Sequence, residues 1–324
     1  VGIYESLLTS TQTIEIQACW SGDLASGTLG SARAAGFFAN NLTTPTSAVA
    51  QALSEKLLDQ NNGNPDIITT LNANRTDWYF GTDASPSIFQ IDFVTVVLHE
   101  ITHGLGFAGA ENIDDGIGSG NSVECNGVVN AGCLGFSNFT IPTVYTLLVE
   151  DAAGTSILDL ASNPSVQLGN YLRGLNGDLF LNGPSLSSPA KVFTPNVYNG
   201  GSSYSHLDFN TFFPNELMVP SLSAGVAIHD PGIALQVLED MGWGNLSLPV
   251  ELVDFKVAVL NEGAKLEWET ARERNNRGFY VERSGDGRSW ERLGFVNGAG
   301  DADEAQFYSF IDLAPLLGTN FYRL

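Results

Sequence analysis

His99-Glu100-Ile101-Thr102-His103, continued by Gly104-Leu105-Gly106-Phe107, constrains this chain more than any other stretch. Residues four apart lie above one another on an α-helix, so the two imidazoles reach a common point only if the segment is helical. Glu100 then projects beside that point. The flanks supply what such a helix needs: Asp92 to cap the N-terminus, Ile91 and Val96 to pack across the cap, and Gly106 to end it. Val94, Leu98, Ile101 and Leu105 form an apolar stripe at helical spacing, with His99 and His103 on roughly the opposite side. The expected helix is anchored by one face and offers its histidines from the other. The chain has only four histidines, and a pair at ligand spacing around a glutamate points to zinc rather than to two satisfied core residues.

A catalytic zinc takes three protein ligands and keeps one position open for water. In the contiguous arrangement a third histidine would stand three residues beyond Gly106, where this chain has Gly109. His206 and His229 remain. Glu111, Glu124 and Glu150 are conceivable acidic ligands, but none has a helical context that recommends it. His229 precedes Asp230 and Pro231, read as the N-cap and first residue of a helix that Gly242 ends, which favours a role in fixing a loop.

Two further segments bear on the third ligand: Ser205-His206-Leu207-Asp208-Phe209 and Asn215-Glu216-Leu217-Met218-Val219-Pro220. Together with the H-E-x-x-H-x-x-G-F run they resemble the leishmanolysin-like metzincins, where an inserted segment separates the active helix from a distant third histidine followed by a methionine turn. The similarity spans roughly residues 4 to 244 and includes Trp78-Tyr79-Phe80-Gly81-Thr82-Asp83 and Ala227-Ile228-His229-Asp230-Pro231-Gly232. It implies that His99, His103 and His206 hold one catalytic Zn2+ and that Glu100 is the catalytic carboxylate. Met218, twelve positions after His206 (218 − 206 = 12), would form the turn beneath the metal. The gap of 103 positions between His103 and His206 (206 − 103) departs from the contiguous pattern, and His229 is the fallback ligand.

Ahead of the helix the chain reads as a strand over 13–20, a glycine-rich loop, a helix near 47–59, and strands near 67–72 and 77–80. Ile14, Ile16, Ala18 and Trp20 alternate onto one face of the first strand, leaving Cys19 an inert thiol on the other. This order suits an α/β sheet packed against a backing helix and the active helix. The expected fold is thus a metzincin-type (zincin) α/β catalytic domain over residues 1–247. Residues 108–203, rich in Gly, Asn, Ser and Pro, form a long irregular insertion within it, with a strand at Val144–Val149. The acidic piece Glu111-Asn112-Ile113-Asp114-Asp115 is a conceivable calcium loop, but it lacks EF-hand spacing and reads better as solvated. Cys125 and Cys133 bracket a Gly- and Asn-rich loop and are read as a disulfide of an oxidising compartment.

From Leu248-Pro249 onward the texture changes. Val253, Phe255, Val257 and Val259 alternate, then Leu266 and Trp268, then Phe279 and Val281, with turn signals at Asn261-Glu262-Gly263 and Gly285-Asp286-Gly287. Residues 248–324 resemble the fibronectin-III-like modules found behind secreted enzymes of the Bacteroidetes. An all-β sandwich truncated before its last strand is expected, in a chain cut from a longer precursor.

A net charge of −22 argues against binding a phosphate backbone, and no apolar run approaches the length of about 18 residues that spans a membrane. The reading is a secreted zinc endopeptidase, acting as a monomer on protein or peptide substrates. Two alternatives stay open: a surface or adhesion protein whose catalytic fold has decayed and which binds through its β-sandwich, and a zinc hydrolase of non-peptide amides.

Overall fold

The computed structural model describes residues 2–8, 10–40, 46–114, 125, 127–136, 140–244, 250–260, 263–285, 287, 289–302 and 304–324. Asp115, Glu124, Leu248-Pro249, the Asn261-Glu262 turn and Asp286 lie outside these residues. The chain divides into two compact units, Val1–Asn245 and Leu246–Leu324.

The first unit opens with α1 (Gly2–Leu7), β1 (Ile16–Ser21), β2 (Gly30–Ala34), β3 (Phe37–Asn40) and β4 (Ser47–Ala50). Then come α2 (Gln51–Leu58), β5 (Ile67–Asn72), β6 (Trp78–Tyr79), β7 (Ile91–Asp92) and α3 (Phe93–Gly104). Beyond α3 lie β8 (Glu111–Ile113), β9 (Gly132–Leu134), α4 (Val144–Leu147), β10 (Val149–Asp151), α5 (Ile157–Leu160) and α6 (Val166–Leu172). β11 (Leu179–Leu181), β12 (Ala190–Lys191), α7 (Phe209–Phe212) and α8 (Ile233–Leu238) follow, and α8 runs into a π-helical turn at Glu239–Trp243.

The expectation of a zincin-type domain built on one sheet is overturned. Among the described residues the strands of this unit fall into five separate open sheets, and the largest have three strands: β1-β5-β2, with β1 parallel and β2 antiparallel to β5, and β10-β11-β12. The others are the pairs β3-β4, β6-β7 and β8-β9. Polar and glycine-bearing connections at 22–28, 35–36 and 59–66 stop the strands after four to six residues, so no continuous sheet assembles. β1 is an edge strand that leaves Trp20 50% exposed and stacked on Phe93 at 5.5 Å, so the anticipated buried face is only partial. Cys19 is exposed, its Sγ 3.4 Å from Thr70 Oγ1.

Two other local readings change. Val144–Leu147 is helical and not a strand, because Thr143 accepts from Thr146 N at 3.2 Å and acts as N-cap against the β-propensity of the run. Helix α8 starts at Ile233, and Asp230 instead accepts from Gly232 N at 3.0 Å, ahead of the helix.

The core places α3 against β5. Leu98, Ile101 and Leu105 are buried with Leu53, Val49 and Ile67. Gly104 permits the close approach, since a Cβ there would lie 2.2 Å from Ile67 Cγ2. Trp243 Nε1 donates to Leu105 O at 2.8 Å and satisfies a carbonyl that the end of α3 leaves open.

The second unit consists of β13 (Val250–Leu260), β14 (Gly263–Ser284), β15 (Glu291–Ala302), β16 (Gln306–Asp312) and β17 (Phe321–Arg323). A fibronectin-like sandwich needs two sheets facing each other, and the hydrogen bonding does not divide that way. All four other strands pair with β14, giving one open antiparallel sheet of five strands. Leu266-Trp268 and Phe279-Val281, expected on separate strands, belong to the same 22-residue strand. That strand does not run straight: Trp268 and Phe279 have ring centroids 5.3 Å apart, whereas eleven extended residues would span about 36 Å. The register breaks near Glu273, Asn276 and Gly278 let β14 fold its sheet over its own apolar face, where Leu266, Trp268, Phe279 and Val281 are buried.

Candidate metal centre

The cap that starts α3 also fixes its neighbours. Asp92 Oδ2 accepts from Thr95 N and Thr95 Oγ1, both at 2.7 Å, and from His229 Nε2 at 2.8 Å. Thr95 Oγ1 in turn accepts from Ile228 N at 2.8 Å. His229 is thus committed to the first turn of α3 and stands outside the histidine cluster.

His99, His103 and His206 come together. Their Nε2 atoms are 3.1 Å (His99 to His206), 3.2 Å (His99 to His103) and 3.2 Å (His103 to His206) apart. Each Nδ1 lies against a backbone carbonyl: Leu217 O at 2.9 Å for His99, Phe107 O at 2.8 Å for His103 and Ser202 O at 2.8 Å for His206. A carbonyl can only accept, so each Nδ1 carries the hydrogen and each Nε2 presents a lone pair. Three acceptors therefore converge with no donor among them. Protonating one ring would relieve this, but burial opposes it. It lowers the pKa of His99, takes that of His103 down to about 3 with help from the neighbouring ring, and holds His206 well below the usual range.

A cation satisfies what the rings cannot satisfy among themselves. Tetrahedral zinc with Zn–N bonds of 2.0–2.1 Å would separate its ligand nitrogens by about 3.3–3.4 Å, close to the spacing found. The donor set is three neutral imidazoles, each tautomer fixed by a carbonyl behind it, as metal-ligating histidines require. These residues fit a metal ion and form the centre at which one can bind.

Glu100 lies beside the cluster, 5% exposed, and burial alone raises its pKa to about 8. Gly30 on β2 faces it closely enough that a Cβ there would stand 3.0 Å from Glu100 Oε1. The three histidines and Glu100 line an open cleft of about 790 Å3, which is also walled by β2, by the 199–206 segment and by Leu217–Leu222.

Met218 is fully buried, and its carbonyl accepts from Leu207 N at 2.7 Å. Since Leu217 O holds His99, two consecutive carbonyls tie the helix ligand and the segment that carries the loop ligand. Cys125 and Cys133 are joined by a disulfide.

The acids weighed as alternative ligands lie elsewhere in the arrangement. Glu150 accepts from Asn182 at 2.7 Å. Glu111 lines the cleft but holds a second layer: Ser205 Oγ donates to Glu111 Oε1 at 3.3 Å and accepts from Gly109 N at 3.1 Å, bracing the residue next to His206. Burial raises Glu111 to about 8, and its Oε2 is buried without a partner. Nothing in the local pattern of Glu111 links it to Ser205, 94 residues away. Tyr204, close to His206 in sequence, turns its ring into the core.

Residues 44–116 match a family described as SPBPB7E8-like, a stretch that runs from β4 through α3 to β8 and covers well under half of the chain. No curated protein matches the chain. No solved structure matches it.

Proposed function

We propose that the chain is an exported zinc-dependent endopeptidase, with His99, His103 and His206 as the ligands and Glu100 as the general base. The observation that carries this reading is the convergence of three lone pairs beside a carboxylate on the floor of an open cleft. A metal centre that only held the fold together would have no use for Glu100 or for the cleft. The resemblance of the H-E-x-x-H and N-E-L-M-x-P segments to the leishmanolysin-like metzincins supports the same ligand set and a supporting role for Met218.

Zinc held by His99, His103 and His206 would supply Lewis acidity toward a carbonyl oxygen and would lower the pKa of a water to about 7. Glu100 accepts that water's proton at its carboxylate and returns it to the leaving amine. β2 is an edge strand of its sheet and lines the cleft, so its backbone can pair with an extended peptide. Gly30 leaves room for main chain to approach Glu100. The Cys125–Cys133 disulfide suits an oxidising compartment, and no helix among the described residues is long and apolar enough to cross a membrane.

Glu100→Ala tests the reading. Hydrolysis of an unfolded protein substrate should be chelator-sensitive in the parent and should fall about 10²- to 10⁴-fold in the variant, with one zinc retained. Undiminished hydrolysis would remove Glu100 from the mechanism. A parent that binds zinc but cleaves no peptide would favour a binding protein or a hydrolase of other amides.

A further inference from the structure

The loop from α2 to β5 contains a second unsatisfied arrangement, remote in sequence from the histidines. Asp66 is 0% exposed and Glu55 is 5% exposed, and their carboxyl groups face one another. Asp66 Oδ2 accepts from Glu15 N at 2.8 Å, and Glu55 Oε1 accepts from Asn62 N at 3.2 Å. The remaining oxygen of each, Glu55 Oε2 and Asp66 Oδ1, is buried with no donor at full hydrogen-bonding geometry, though the Asp66 carboxyl lies within reach of the Gln51 amide and the Glu55 carboxyl. Among the described residues no lysine, arginine or histidine forms an ion pair with either acid.

Gln51 sits at the centre of the same nest. Its Nε2 is 3.1 Å from Pro65 O and 3.4 Å from each of Glu55 Oε1, Asn62 Oδ1 and Asn64 O. An amide nitrogen has two hydrogens, so four oxygens around it exceed what it can satisfy. Two carboxylates buried together cannot both ionise without a positive charge between them, and burial accordingly raises both.

We propose that Gln51, Glu55 and the Asn62–Asp66 loop form a structural calcium site separate from the histidine centre. With the Gln51 amide turned by half a rotation, its Oε1 joins Glu55, Asp66 Oδ1, Asn62 Oδ1, Asn64 O and Pro65 O. That supplies the six or more oxygens that calcium takes, and its double charge balances the two carboxylates. The absence of nitrogen and sulfur donors disfavours zinc. Magnesium, which demands a strict octahedron at 2.0–2.1 Å, suits a crowded set of six or more protein oxygens less well, although Asn62 and Asn64 are open to solvent. The ion would tie α2 to the start of β5, the strand against which Gly104 of α3 packs. This inference does not depend on the peptidase reading.

The test uses the full chain, stripped of metal and reloaded with one equivalent of zinc. Equilibrium dialysis against calcium chloride at neutral pH should show one calcium per chain, half-saturating at about 10⁻⁴–10⁻³ M because only two ligands are charged. Thermal unfolding should shift upward saturably with calcium, and far less with magnesium. Asp66→Asn should weaken calcium binding at least about tenfold and leave one zinc bound. Glu55→Gln should do the same and serves if Asp66→Asn fails to fold. Absence of bound calcium in the parent at several millimolar overturns the proposal, as does undiminished calcium affinity in a folded variant. A parent indifferent to calcium but stabilised by Asp66→Asn would also overturn it, since a proton shared by the two acids would then occupy the nest.

Discussion

Both units bury carboxylates, and apart from the Asp92 cap, which is well supplied with donors, four in the first unit are treated in the opposite way from those in the second. In the second unit Glu273 is fully buried yet accepts from Tyr308 Oη at 2.5 Å, Thr270 Oγ1 at 2.7 Å, and Asn276 Nδ2 and Ala299 N at 2.9 Å. Burial alone would push its pKa up, and these four donors outweigh it and leave the group below its ordinary value. Asp312 shows the same balance: burial is overcome by donation from Ala314 N, Arg283 and Tyr322. In the first unit Glu55, Asp66, Glu100 and Glu111 are all raised by burial. An acid given every donor it can use pins a fold, here the bend of β14. Acids left short of donors mark places where a ligand, a proton or a substrate completes the arrangement.

The sharpest way to break this contrast is at the histidines. His206→Ala should strip most zinc from the purified protein, whereas His229→Ala should keep one equivalent and lose only about 1 kcal/mol of stability through its bond to Asp92. Metal analysis showing the reverse would move the third ligand to His229.

A smaller but clear effect is expected at the bend. Glu273→Ala strands four donors and should cost on the order of 3 kcal/mol or more, lowering the unfolding transition of the second unit alone. Glu111→Gln, by comparison, removes an acid already disfavoured as an anion, and should leave the metal-free first unit as stable as before or more so at alkaline pH. Equal losses from the two changes would erase the distinction.

The smallest effect is the pH dependence of the metal-free protein. Glu111 holds its proton to about 8 when folded, so its contribution is full below the unfolded value near 4.3 and is lost as pH rises through about 8. Glu273 and Asp312 have lowered values, so their contribution is present above about 4 and is lost as pH falls through the lowered values. Calorimetry should therefore show the first unit's transition falling as pH rises from about 6 to about 8 and levelling beyond that, while the second holds steady, with the second giving way on acidification below about 4. Transitions that move together would show that donor supply does not govern the difference.

What the sequence made readable follows the range of each signal. Helix α3 could be read because its cap at Asp92, its stripe and its histidine spacing all lie within a dozen residues. His206 is legible only through likeness to a family, since nothing local connects it to His103. Leu217 O, Phe107 O and Ser202 O, which fix the three tautomers, are backbone atoms and leave no mark on residue identity. The single-sheet and sandwich expectations failed for a related reason. Alternation shows which side of a strand is apolar, but not whether two apolar runs belong to two strands or to one that bends, as Trp268 and Phe279 do. At Val144–Leu147 the Thr143 cap outweighs the β-propensity of Val144, Tyr145 and Thr146.

The 103 positions between His103 and His206 give the metal a part to play in the topology of the chain (206 − 103). An ion held by both would tie a loop of that length at its base, a constraint that on the scale of covalent cross-links removes about 4–5 kcal/mol of freedom from the unfolded chain. The Cys125–Cys133 disulfide, closing a separation of only eight, is nested wholly inside that loop and cannot replace the tie when the ion leaves. Metal loss would thus act on the unfolded chain rather than on the folded one: Phe107, Leu134, Tyr145, Leu168 and Leu179 inside the loop stay packed in the core with Leu53 and Ile101, but the unfolded state they compete with gains the freedom that the ion had removed.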